Sequence, residues 1–220
     1  MDASPGTVHG RPEGGRAGRQ SGMPLAGLAV VLVVLVVSPA ATARVPLQVS
    51  GYGAAWPATW WHTWLDGGDF VDRHGLSNGG GVSLEAFATP WLAVGVLADA
   101  MAVSAPGGAY PSPVPVVGML ASARLVLPAR GQRVVEPYLR VAAGYALFVP
   151  EGAGREHGWA VRFRPGVQYV ALNGATIFLE AGYHHDGYRH DYRGQDDDPG
   201  GDLRVMLHAL EVCLGLGWRF

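Results

Sequence analysis

The chain has 220 residues, 49% hydrophobic and only 15% charged, with sixteen basic residues, all of them Arg, against eighteen acidic ones. That length suits one domain, the slight negative charge excludes a nucleic-acid binder, and a lone Cys213 excludes an intramolecular disulfide framework. No stretch after residue 44 approaches about 18 uninterrupted apolar residues, so no transmembrane helix carries the apolarity.

The first 43 residues read as a cleaved secretory signal. Arg11, Arg16 and Arg19 form a positive leader, Leu25 to Val37 an apolar core, and Ala41-Thr42-Ala43 an A-x-A cleavage site. Residues 44–220 then form a single domain with thirteen Arg against sixteen acidic residues.

Eight strands follow by period-two alternation. The first spans about Leu47 to Trp56, with Gln48, Ser50 and Tyr52 on one face. The second spans about Gly80 to Ala88, with Val82, Leu84 and Ala86 opposite Ser83 and Glu85. Thr89-Pro90 turns into the third, Trp91 to Val103, which carries Asp99 on its polar face. The fourth, Val116 to Leu127, sets Met119, Ala121 and Leu125 against Ser122 and Arg124. Pro137 opens the fifth, which sets Leu139, Val141 and Tyr145 against Arg140. The sixth, Trp159 to Leu172, sets Phe163, Val167 and Tyr169 against Arg162, Arg164 and Gln168. Asn173-Gly174 is a type I′ hairpin signal. It leads to the seventh, Ala175 to Tyr188, with Ile177, Leu179 and Tyr183 opposite Glu180 and His184.

The eighth strand, Val205 to Phe220, has the clearest pattern. Its even positions, from Met206 through Leu210, Leu214 and Leu216 to Trp218 and Phe220, are apolar apart from His208. Its odd positions, including Glu211, Cys213, Gly215 and Arg219, are mostly small or charged. A strand that crosses a bilayer needs about 9–11 tilted residues with aromatic girdles at the interfaces. Connections are read as alternating, with 89–90, 129–136 and 173–174 as the short set and 57–79, 105–115, 150–157 and 189–204 as the long set, 129–136 and 150–157 being equal at eight residues. Such asymmetry places both termini and the short turns on the periplasmic side and the long loops outside. The reading is therefore an all-β, eight-stranded antiparallel up-and-down transmembrane β-barrel in the outer membrane, preceded by a signal peptide.

Leu214-Gly215-Leu216-Gly217-Trp218-Arg219-Phe220 resembles the closing strand of bacterial outer-membrane β-barrels, and the Gly- and aromatic-rich strands before it look like the small barrels of the OmpA/OmpX type. The resemblance covers about residues 46–220. It implies that Leu214, Leu216, Trp218 and Phe220 act as a signal for the barrel-assembly machinery.

The inward charges, acidic Glu85, Asp99, Glu180 and Glu211 and basic Arg124, Arg140, Arg162 and Arg164, are four against four. In a lumen just wide enough for side chains they would pair and plug it. A polar conduit or proton-linked path is the other reading. His184, His185, Asp186, His190 and Asp191 are metal-ligand types without converging spacing, and are expected as a polar strand end among headgroups. The acidic segment 196–202 lacks EF-hand spacing and is expected as a solvated loop. Trp56, Trp60, Trp61 and Trp64 are expected either as an interface belt or as a binding surface on the first long loop.

Function follows from these assignments. The expectation is a structural or surface-interaction barrel, a monomer without cofactor or metal, whose four outer loops contact lipopolysaccharide or a partner. Outer-membrane lipid surrounds it. A narrow porin and a lipid A deacylase-like enzyme are the alternatives. Lipid A deacylases place His two residues before Ser on one strand face. No His-x-Ser occurs here: the residues at those positions after His184 and His185 are Asp186 and Gly187.

Overall fold

A computed structural model describes residues 45–65, 68–74, 77–103, 113–127, 135–149, 155–192 and 201–220, with the backbone alone for 63–65, 68–74, 189–192 and 201–203. The expected signal segment 1–43 and the acidic residues Asp196, Asp197 and Asp198 lie outside the described residues.

Nine strand segments make eight staves. They are β1 (Leu47–Leu65), β2 (Gly68–His74), β3 (Ser77–Thr89), β4 (Leu92–Val103), β5 (Val114–Val126), β6 (Val135–Phe148), β7 (Glu156–Val170), β8 (Ala175–Tyr192) and β9 (Gly201–Arg219). β2 and β3 are two parts of one stave. Both keep the same register against β1, so that Thr59 faces His74 and Trp56 faces Ser77. Every neighbouring pair is antiparallel, and β1 pairs with β9 to close the sheet into a barrel. Closure pairs both sides of each of the eight staves, as a bilayer requires of backbone groups, while β2 pairs with β1 alone among the described residues.

Alternation decides what faces where. β5 shows it most simply: each even residue from Val114 to Val126 is buried and each odd one exposed. Outside lies a continuous apolar wall that includes Val49, Val82, Leu84, Met119, Val141, Ile177, Leu179, Leu214 and Leu216. Exposed apolar surface on this scale needs a nonaqueous partner, and lipid is the partner that fits a closed barrel. Its height agrees. Tyr169 and Trp159 lie ten residues apart on the outer face of β7. Ten strand residues span about 33 Å, or about 25 Å along a barrel axis from which the strands tilt by about 40°. That matches the apolar band between two aromatic girdles. Trp91, Tyr169 and Trp218 mark the end near the chain termini, and Tyr145, Trp159 and Tyr183 mark the other.

Three expectations need correction. The stretch 57–79 is not a long loop: β1 runs on to Leu65 and returns as β2. The reason is a bulge between Ala55 and Ala58, where the register against β9 shifts by one. Pro57 cannot donate to the ladder and is tolerated at such a bulge. The extra residue also flips the pleat, so the inward set changes from Gln48, Ser50, Tyr52, Ala54 and Trp56 to Thr59 and Trp61. Second, the connection 189–204 is shorter than expected, because β8 continues to Tyr192 and β9 begins at Gly201.

The third correction concerns the turn at Asn173-Gly174, which is not a two-residue type I′ loop. Gly174 N–H donates to Ala171 C=O at 2.9 Å, and Ala171 N–H to Ala175 C=O at 2.8 Å. The loop is therefore three residues, Leu172 to Gly174, with Gly174 at φ 89° in the left-handed region. This is the arrangement of a type I turn closed by a glycine bulge. Gly174 C=O then accepts from Arg219 N–H at 2.8 Å, and Phe220 N–H donates to Leu47 C=O at 2.8 Å, which fastens the chain end to the barrel.

Candidate functional site

The lumen holds the chemistry. All eight charged residues expected inside, Glu85, Asp99, Arg124, Arg140, Arg162, Arg164, Glu180 and Glu211, are buried there, each at 7% exposure or less. Each is delivered by the inward phase of a different position on the staves, and cross-lumen contacts join them in a chain.

The network begins near the termini. Arg124 Nη2 lies 2.9 Å from Glu85 Oε2, and the same guanidinium donates to Gln48 Oε1 and Gln168 Oε1 at 2.9 Å each. Arg140 bridges the next level. Its Nε lies 3.2 Å from Glu85 Oε1, and its Nη1 lies 2.6 Å from Glu180 Oε1. Tyr138 donates its hydroxyl to the same Glu180 oxygen at 2.7 Å. Arg164 then binds Glu211 in a fork, with Nε to Oε1 at 2.5 Å and Nη2 to Oε2 at 3.0 Å, and donates to the Tyr52 hydroxyl at 2.9 Å. Arg162 holds Asp99 at 3.1 Å and Asp186 at 2.6 Å. A guanidinium with five fixed donors suits such multi-partner bridging, and here each of these buried carboxylates has at least one guanidinium within ion-pair distance.

Further members join the network by strand phase. His184 and Asp186 do not sit among headgroups: both are fully buried inside the barrel, with His184 Nε2 2.7 Å from Asp186 Oδ2. They share parity with Glu180 on β8, which is the signal that places them. At the terminal end Arg219 forks onto Glu136, at 2.8 Å and 3.2 Å, and Gln168 Nε2 donates to Glu136 at 2.6 Å. Glu136 shares the phase of Arg140, and Arg219 that of Glu211.

The tryptophans divide. Trp56 and Trp61 are not a belt: both are buried inside, at 3% exposure. Trp56 donates Nε1–H to Glu211 Oε2 at 3.2 Å and packs its ring 5.3 Å from that of His184. Trp61 lies edge-on to Phe148, which in turn contacts Tyr188. Trp60 faces out and is half-buried, and the side chain of Trp64 lies outside the described residues. Trp56 could be placed from its phase with Tyr52, whereas Trp61 could not, because the bulge intervenes. Toward the loop end the lumen turns apolar, filled by Met101, Val103, Val114, Val116, Phe148 and Leu207 with Trp61.

The remaining candidates separate as well. Leu214, Leu216, Trp218 and Phe220 all point outward and are exposed, Phe220 most of all at 73%. His185 faces out, away from His184, and the side chains of His190 and Asp191 lie outside the described residues. Among the described side chains of this segment, His184 and Asp186 therefore face the lumen and His185 the outer wall.

Two solved structures share this architecture. The outer membrane protein OprG from Pseudomonas aeruginosa matches 80% of this chain and 96% of its own, with a TM-score of 0.54 at 12% identity. The outer membrane protein AlkL, solved in DMPC lipid bilayers, matches 83% of this chain and 94% of its own, with a TM-score of 0.52 at 15% identity. The chain has the fold of the small eight-stranded outer-membrane β-barrels. This is the architecture that its resemblance to the OmpA/OmpX type implies. No protein-family model and no curated protein sequence matches the chain. At such identities the likeness carries the barrel and not the residues inside it, so the lumen of this outer-membrane-type barrel has to be read from its own side chains.

Proposed function

We propose that the protein is a structural or surface-interaction barrel of the outer membrane, exported by its first 43 residues and closed to bulk water. The observation that carries this reading is the interlocked lumen. Arg140 and Glu180, both 0% exposed, face each other across it, and the apolar fill around Trp61 and Phe148 adds a second seal toward the loop end. With its interior filled, the barrel has its outer wall and its loop end left to act with. The wall meets lipid, and the loop end meets lipopolysaccharide or a partner.

The test is conductance. In planar bilayers the wild-type barrel is expected to show little steady current. Arg140→Ala with Glu180→Ala opens the middle of the network while removing one charge of each sign, and is expected to raise conductance or lower the unfolding temperature. Large, regular channels from the wild type would identify a narrow porin instead and overturn the proposal. Recovery of the protein in the soluble periplasm would remove the membrane assignment itself.

A further inference from the structure

A second group of titratable side chains lies on the opposite face of the wall from the lumen. His185 on β8 and His208 on β9 are direct cross-strand partners, both facing out and both half-buried. Their Nδ1 atoms lie 2.8 Å apart and their rings 4.3 Å apart. Tyr183, two residues before His185 on the same face, is the diagonal neighbour of His208, and its hydroxyl contacts the same His208 Nδ1. Trp159 packs on the other side of His185, with ring centroids 4.7 Å apart.

We propose that His185 and His208, with the Tyr183 hydroxyl beside them, form a surface site for a divalent transition-metal ion of the Cu(II) or Ni(II) type. The argument is geometric. Two nitrogens bound to one metal at about 2.0–2.1 Å lie about 2.9 Å apart when cis at a right angle, and about 3.3 Å apart at a tetrahedral angle. The observed 2.8 Å suits the right angle, and tetragonal N,O sites select Cu(II) or Ni(II). Imidazole is a good ligand for both ions, and Cu(II) heads the affinity order. Direct pairing on neighbouring strands holds the two rings within reach without a loop having to order. Among the described residues no group of three or more His, Cys, Asp and Glu side chains could hold a metal. The protein's ligands are therefore the two imidazoles alone, with the Tyr183 phenol beside them in the aromatic girdle of the outer wall. A hydrogen-bonded imidazole pair without metal affinity is the competing account, and the two differ in what they predict on titration.

The experiment uses the full mature barrel in detergent micelles, free of any polyhistidine tag, titrated with copper sulfate and read by electron paramagnetic resonance. One Cu(II) per barrel is expected, with hyperfine splitting from nitrogen ligands. His185→Phe and His208→Phe are each expected to lose that signal while still migrating as folded barrels. His157→Phe is the control, since His157 pairs with Tyr145 elsewhere on the outer wall, and it is expected to keep the signal. Absence of stoichiometric binding in the wild type, or binding unchanged in either variant, overturns the proposal. Loss in His157→Phe as well would show scattered surface histidines and overturn it too. Should the Phe variants fail to fold, the wild type still decides. Copper is then expected to protect His185 and His208 from acylation by diethyl pyrocarbonate, and equal labelling with and without the ion counts against the site.

Discussion

Glu211→Leu is expected to reach the membrane at wild-type levels and to unfold more easily by about 3–5 kcal/mol, the cost of leaving a buried charge without its partner. Glu211 takes both arms of the Arg164 fork and the Trp56 indole N–H, and both donor residues are buried, at 1% and 3% exposure. Leu occupies similar volume but accepts nothing, so the indole loses its acceptor. The guanidinium keeps only the Tyr52 hydroxyl and the longer contacts to Asp99 at 3.7 Å and Glu180 at 4.0 Å. The outward face of β9, with Leu210, Val212, Leu214 and Leu216, is untouched, so the lipid contact and the C-terminal segment stay as they are. The double replacement Arg164→Met with Glu211→Leu should recover much of the loss, because removing both members of a buried pair is often close to neutral. Membrane fractionation and denaturant titration in micelles separate the two effects. A Glu211→Leu barrel as stable as wild type would mean that the network contributes nothing to holding the wall closed.

Deleting Phe220 is expected to do the reverse, impairing biogenesis while leaving the folded barrel largely intact. Phe220 is 73% exposed, and its backbone N–H closes one bond to Leu47 C=O. Losing a partly exposed Phe costs no more than about 1.5–3 kcal/mol by area, and the lost hydrogen bond about another 1 kcal/mol. A closed barrel should survive both. If the terminal aromatic is read by the assembly machinery, the truncated chain should refold in detergent micelles yet accumulate poorly in the outer membrane, with material held in the periplasm. Equal membrane levels for truncated and full-length chains would reduce Phe220 to a member of the aromatic girdle beside Trp218.

Much of this architecture is written in the alternation of the chain. Lipid outside and a filled lumen inside impose a period of two on every stave, so Leu214, Leu216 and Trp218 could be assigned outward, and Arg124, Arg140, Arg162 and Glu180 inward, from parity alone. The same rule turns His184, Asp186, Glu136 and Arg219 inward, since they share a phase with residues already placed inside. Phase alone leaves open whether a polar residue near a strand end lies within the lumen or above its rim, and the height of the barrel decides that.

Tertiary structure decided the rest, for two physical reasons. Parity survives only while the pleat is unbroken, and the bulge at Pro57 breaks it. Trp56 and Trp61 stand five residues apart, yet both enter the lumen, a result that depends on how β1 meets β9. Partner choice is the second reason. Alternation says that a side chain points inward but not at which height it arrives, and strand register sets that height. Register is what puts Arg164 onto Glu211 and Arg140 between Glu85 and Glu180, residues far apart along the chain. It also sets His185 against His208 on the outer wall, a pairing that neither residue's local sequence contains.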